Sequence, residues 1–402
     1  MEKITLKNGL RFVLESVPGV RSASAGIWVA NGSRYESSAE AGVSHFIEHM
    51  LFKGTSSRSA AKIAEEMDRL GGQFNAYTSR ENTTFYTRTL DVHLTDAMAV
   101  LSDMFMDSLF RDRDMALEKT VIYEEIDMYE DSPEDLVMDK LAEAAYDGAL
   151  GRPIIGTRES LAPMTGRDLH AYMDAHYVPE NTIVAVAGNY SDQTVLELME
   201  LFEKLPKAPM PVCPPAAYRQ GENFTEKPIE QNHVAVAFPG ITYTAPDRFE
   251  AQVFSNILGG GMSSRLFQKV REDAGLCYSI YSFLNTYSDT GMFGVYTALS
   301  QSTQARAEAL IREEIDRFLQ DGPTQEELDR TRDQIKTNLL MGLESTMTRM
   351  NRLAQATLFL GGAKPLEETI VRYDAVTREG VLEIARKLCG CGKMSRAVVG
   401  KA

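Results

Sequence analysis

Met50-Leu51-Phe52-Lys53-Gly54-Thr55-Ser56-Ser57-Arg58 recurs 207 residues later as Ile257-Leu258-Gly259-Gly260-Gly261-Met262-Ser263-Ser264-Arg265. Further segments follow in the same order. Gly71–Tyr77 corresponds to Ala274–Ile280, and the Thr/Tyr/Phe-rich runs that follow end in Tyr86-Thr87-Arg88-Thr89-Leu90 and Tyr296-Thr297-Ala298-Leu299. Each half then carries long helical segments and closes on a short apolar strand, Ile183–Gly188 or Arg396–Gly400. Repetition at this scale predicts a duplicated α+β fold: two homologous domains, each a mixed, mostly antiparallel sheet packed with helices. A proline-rich stretch, Leu205–Pro215, cannot continue a helix or a central strand and separates the halves. The expected domains are residues 1–211 and 229–402, joined by a linker over 212–228. At the start, Lys3–Leu6 and Leu10–Leu14 alternate around Asn8-Gly9, which predicts a hairpin.

Immediately before the repeated stretch the first half reads His45-Phe46-Ile47-Glu48-His49. Histidines at i and i+4 project from one side of a helix, close enough to share a zinc ion at about 2.0–2.1 Å. Glu48 then sits beside the metal without binding it, and the H-x-x-E-H order is the inverzincin signature. Val43, Ile47, Met50 and Leu51 form an apolar stripe at helical spacing, with Ser44 as a candidate cap and Lys53-Gly54 as a stop. In the second half the equivalents of His45, Glu48 and His49 are Gln252, Ser255 and Asn256. Only the first domain can hold a metal in this way.

The chain has 402 residues, 44% hydrophobic, with a net charge of −15. That charge argues against nucleic acid or an anionic membrane as a partner, since both require a basic surface. No apolar run approaches a membrane span of about 18 residues and the first residues have no signal-peptide core, so a cytoplasmic location is expected. Cys213, Cys277, Cys389 and Cys391 are too few and too scattered for a disulfide framework. Cys389-x-Cys391 is at most a weak metal signal.

A catalytic zinc generally takes three protein ligands and leaves one position open. In the acidic helix Met115–Tyr129, the apolar face of Met115, Ile122, Ile126 and Tyr129 also carries Glu118 and Glu125, while Glu124 points the other way. Carboxylates on a buried stripe need a metal or an ion-pair partner. Periodicity leaves both Glu118 and Glu125 as candidates and leaves core ion pairs as the alternative.

Taken together, His45–Thr55, Gly72-Gln73-Phe74-Asn75-Ala76-Tyr77-Thr78 and Glu118–Glu125 resemble the pitrilysin/insulysin zinc metallopeptidases, in particular their bacterial branch similar to mitochondrial processing peptidase. The resemblance covers essentially the whole chain. It implies one zinc per chain held by His45, His49 and Glu125, with Glu118 behind them and Glu48 as general base. It also implies that Asn75 and Ala76 lie on an edge strand that takes up substrate, and that Arg271 and Tyr278 contact substrate near the cleaved bond. Without the resemblance, those last two read as an exposed arginine and a core tyrosine. Family members with four such domains close into a chamber, so a two-domain chain is expected to form a homodimer in which Arg271 and Tyr278 serve the partner's site. The expected activity is endopeptidase cleavage of extended or unfolded peptides. The alternatives are a non-catalytic or partner-dependent subunit, or a merely structural zinc site, for which Glu48 would have no use.

Overall fold

Gly9 adopts φ +101°, the left-handed backbone that the Asn8-Gly9 turn requires. It joins β1 (Glu2–Thr5) to β2 (Arg11–Ser16) in an antiparallel hairpin. The computed structural model describes residues 1–402. They separate into two compact units, one of residues 1–126, 152–214 and 341–363, the other of residues 127–151, 215–340 and 364–402.

The first unit is built on a six-stranded sheet that also contains β3 (Ser22–Val29), β4 (Gln73–Thr78), β5 (Thr83–Leu90) and β6 (Thr182–Gly188). The strand order is β1-β2-β6-β3-β5-β4, antiparallel throughout except for the parallel pair β2/β6. Alternate residues point to opposite faces. Phe12, Leu14, Ala25, Ile27, Val184 and Val186 therefore join one core, together with the helices Val43–Leu51 and Leu94–Asp107. Val13, Trp28, Ile183, Ala185 and Ala187 form the other face, which is also apolar and needs its own cover. The helix Thr346–Phe359 provides it through Met350, Leu353 and Ala354.

The second unit repeats the plan with five strands: β7 (Glu222–Glu226), β8 (Gln231–Pro239), β9 (Cys277–Thr286), β10 (Gly291–Ser300) and β11 (Ser395–Gly400), in the order β7-β11-β8-β10-β9. Only β7/β11 is parallel. Val234, Val236, Val295 and Val398 face one core, and Ala235, Ala237, Tyr296 and Val399 face another. The helix Pro133–Ala145 covers the second of these with Val137, Leu141 and Ala145.

The duplication is thus real, but the units do not follow the division 1–211, 212–228 and 229–402. Residues 127–151 belong to the second unit and residues 341–363 to the first. Each sheet is apolar on both faces, and each draws one covering helix from the other half of the sequence. The expected linker also contains β7, an edge strand anchored by its pairing with β11. The repeated arginines play matched parts. Arg58 pairs with Asp103 at 2.8 Å and Glu66 at 2.9 Å, while Arg265 pairs with Glu314 at 3.8 Å and Glu327 at 2.7 Å. Asp103 and Glu314 lie on the helices that follow β5 and β10, Leu94–Asp107 and Gln301–Asp321. No helix is long and apolar enough to cross a membrane.

Candidate metal centre

The motif helix starts at Gly42, whose φ of +89° and close backbone neighbours suit glycine: a Cβ there would lie 2.6 Å from the Ile155 carbonyl oxygen. The expected cap, Ser44, is instead inside the helix. Glu36 does the capping from outside, its two carboxylate oxygens accepting the Gly42 N–H at 2.8 Å and the Ser44 N–H at 2.9 Å. Burial pushes the Glu36 carboxyl up to about 7, against the pull of those two bonds and of Arg152.

On the other side of this helix, His45 and His49 lie with their rings 4.6 Å apart. The Nε2 atoms of His45 and His49 are 3.7 and 3.4 Å from Oε2 of Glu125. Each of these residues offers a ligand atom, and all three atoms lie within 4.8 Å of one another. Glu125 comes from the helix Asp112–Asp131, whose buried side holds Met115, Ile122, Ile126 and Glu118. Tyr129, expected on that side, is 39% exposed. Donors 2.0–2.1 Å from a tetrahedral zinc stand about 3.4 Å apart, close to the two separations from Glu125, and two imidazoles with one carboxylate are a donor set that zinc takes.

Behind the donors, Nδ1 of His49 bonds Oε1 of Glu118 at 2.9 Å, and Lys53 Nζ reaches Oε2 of Glu118 at 2.5 Å. His45 Nδ1 is buried without a protein partner. The two rings titrate apart. Burial and the neighbouring His49 lower His45 to about 4. Burial also opposes a charge on His49, but bonds to Glu118 and Glu125 outweigh it and raise that ring to about 9. Glu125 is held below the usual carboxylate range, first by its bond to His49.

Glu48 is displaced upward from the usual range by burial, an effect opposed by Thr78. The Thr78 hydroxyl donates to Oε2 of Glu48 at 2.5 Å. Thr78 ends β4, which lies at the sheet edge as the resemblance implied and carries Asn75 and Ala76. The Ala76 N–H is taken up by Asn75 Oδ1 at 2.8 Å.

Arg271 and Tyr278 belong to the second unit. Arg271 sits in a π-helical turn, Phe267–Asp273, with its guanidinium 4.4 Å from the ring centre of Phe267 and 5.1 Å from that of Tyr278. Tyr278 is 76% exposed, on β9 and not in the core. The second-half equivalents of the motif are spent locally, with Ser255 on Ser282 and Asn256 on the Gln252 carbonyl.

Three residues at the site escaped the sequence reading. Lys53 lies at i+4 from His49, a spacing that could have linked it to the same helix face. Thr78 stands two residues beyond Ala76 and so on the same side of its strand. Glu36 gave no signal.

Residues 11–158 match the family described as insulinase (peptidase family M16), and residues 163–335 match the peptidase M16 inactive domain. The uncharacterized zinc protease YmxG of Bacillus subtilis is 41% identical over 390 residues, covering 96% of this chain and 95% of that protein. An uncharacterized zinc protease of Streptomyces coelicolor is 38% identical over 411 residues, covering 100% of this chain and 89% of its own. Among solved structures, a protease from Helicobacter pylori superposes with TM-score 0.91 at 21% identity, covering 99% of both chains. A peptidase M16 inactive domain from Pseudomonas fluorescens gives 0.92 at 20%, covering 100% of this chain and 98% of its own.

Proposed function

The chain belongs to peptidase family M16, and from that premise we propose that it is a zinc-dependent endopeptidase acting on extended or unfolded peptides. One observation carries the reading: His45, His49 and Glu125 converge on a single point from two helices, with Glu48 beside them. Zinc in that cradle would polarise a water, lower its pKa towards roughly 7 and stabilise charge on the scissile carbonyl.

The protein's own residues do the rest. In a neutral His49 ring, Nδ1–H donates to Glu118 and leaves the Nε2 lone pair for the metal, while the ion pair with Lys53 keeps Glu118 a carboxylate. Glu48 accepts a proton from water and returns it to the departing amine, and a carboxyl raised by burial suits both roles. The open edge of β4 offers main-chain groups for an added strand at Asn75 and Ala76. A peptide that takes the Ala76 N–H displaces the Asn75 side chain from it. Recognition of this kind reads backbone, so folded proteins offer no substrate.

The stacked Arg271 and Tyr278 would contact substrate from the second domain of a partner copy, which makes the working unit a homodimer. The names of the bacterial relatives support a zinc protease in general terms. The test is to measure zinc in the purified chain and assay an unstructured peptide with chelator, and again after zinc is restored. Cleavage should vanish and return; zinc-loaded protein that cuts no peptide would favour a non-catalytic subunit. For the shared site, mixing Glu48→Gln with Arg271→Ala chains should restore activity. No recovery after confirmed subunit exchange would refute it.

A further inference from the structure

We infer that Thr78 is a positioning residue that makes the orientation of the base depend on the strand that receives substrate. The inference rests on the proposed peptidase reading and deepens it. Glu48 projects from the motif helix, and half-buried carboxylates in such a setting keep a single orientation only when held. The hold comes from Thr78, whose hydroxyl donates to Oε2 at 2.5 Å. Thr78 sits at the end of β4, paired with Thr83 of β5, and β4 has no strand on its other side.

Ala76 and Thr78 are two apart and face the same way. A substrate strand added at Ala76 therefore fixes the segment that ends in the donor to Glu48. Before that, the Ala76 N–H donates to the side-chain oxygen of its neighbour Asn75. The same strand thus both binds substrate and aims the base. Binding energy from peptide residues remote from the cleaved bond then appears in kcat, because it is used to orient a reacting group. Substrates too short to lie along β4 would meet a loosely held base.

The experiment compares zinc-loaded full-length wild type, Thr78→Val, Thr78→Ala and Thr78→Ser. Each is assayed on a long unstructured peptide and on a short peptide with the same cleavage site, with zinc content and Tm measured alongside. Loss of the hydroxyl should lower kcat on the long peptide by about tenfold to a hundredfold. Zinc content and KM should stay within about twofold of wild type. Thr78→Ser should keep most of the rate. The ratio of kcat between long and short peptides should fall towards one in Thr78→Val and Thr78→Ala but persist in Thr78→Ser.

Unchanged kcat in Thr78→Val, an equal loss in Thr78→Ser, or a loss confined to KM would overturn the inference. So would a lowered Tm or zinc content in both Val and Ala variants that accounts for the whole effect, since Thr78 would then be structural. A wild type that cleaves neither peptide refutes the peptidase reading itself, which is a different outcome from an active wild type indifferent to Thr78.

Discussion

The Nδ1 atom of His49 lies 2.9 Å from Oε1 of Glu118, and this one bond decides which nitrogen of the ring faces the other donors. A neutral imidazole has one N–H and one lone pair. Once the ring is neutral, as a metal ligand must be, Nδ1–H donates to Glu118 and the lone pair is left on Nε2, the atom 3.4 Å from Glu125. Lys53, at 2.5 Å from the other oxygen, keeps Glu118 pointed and charged.

Zinc affinity should therefore depend on residues that never touch zinc. Glu118→Ala is expected to weaken binding by about tenfold to a hundredfold, and Lys53→Met by less in the same direction. Competition against a chromogenic chelator measures both. Wild-type affinity in Glu118→Ala would show that the bond has no such role.

Glu36 gives a pH dependence. Its folded value of about 7 exceeds the ordinary 4.5, so between these values the folded chain holds more of this proton than the unfolded chain. Stability contributed by this group is full below pH 4.5 and declines as pH rises to about 7, by about 3 kcal/mol in all. Glu36→Gln should flatten the fall in denaturant midpoint across that range. An equally steep profile in the variant would assign the dependence to other groups.

Arg34 and Glu81 form a buried ion pair at 2.6 Å, and Arg34 also donates to the Pro214 carbonyl at 2.8 Å. Removing one charge strands the other. Arg34→Met or Glu81→Gln should each cost about 3–5 kcal/mol, and the double variant less than their sum. Chemical denaturation of the four proteins gives the cycle; additive losses would mean that the two side chains act independently.

The sequence made the two histidines legible as a pair because residues four apart lie on one side of a helix. Two histidines four apart share a helix face, but the buried stripe left both Glu118 and Glu125 open, and only the family resemblance singled out Glu125. The hairpin at Asn8-Gly9 and the strand at Asn75-Ala76 were legible from turn and strand signals, the duplication from the repeated segments, and the edge position of that strand from the resemblance alone. The exchange of the helices Pro133–Ala145 and Thr346–Phe359 was not, because amphipathic spacing says that a helix has a buried face but not which sheet it covers. Thr78 was hidden for a different reason: threonine in a strand is the ordinary choice, and only the folded arrangement brings its hydroxyl to Glu48. Glu36 lies in the turns before the motif, and its burial follows from tertiary packing alone.

The most direct test of the account joins metal content to turnover in one variant. Glu48→Gln leaves His45, His49 and Glu125 in place, so it should bind one zinc per chain like the wild type. With no proton acceptor beside the water, its kcat on an unstructured peptide should fall by about a hundredfold to ten-thousandfold. A zinc-loaded Glu48→Gln chain that cleaves at the wild-type rate would contradict the account.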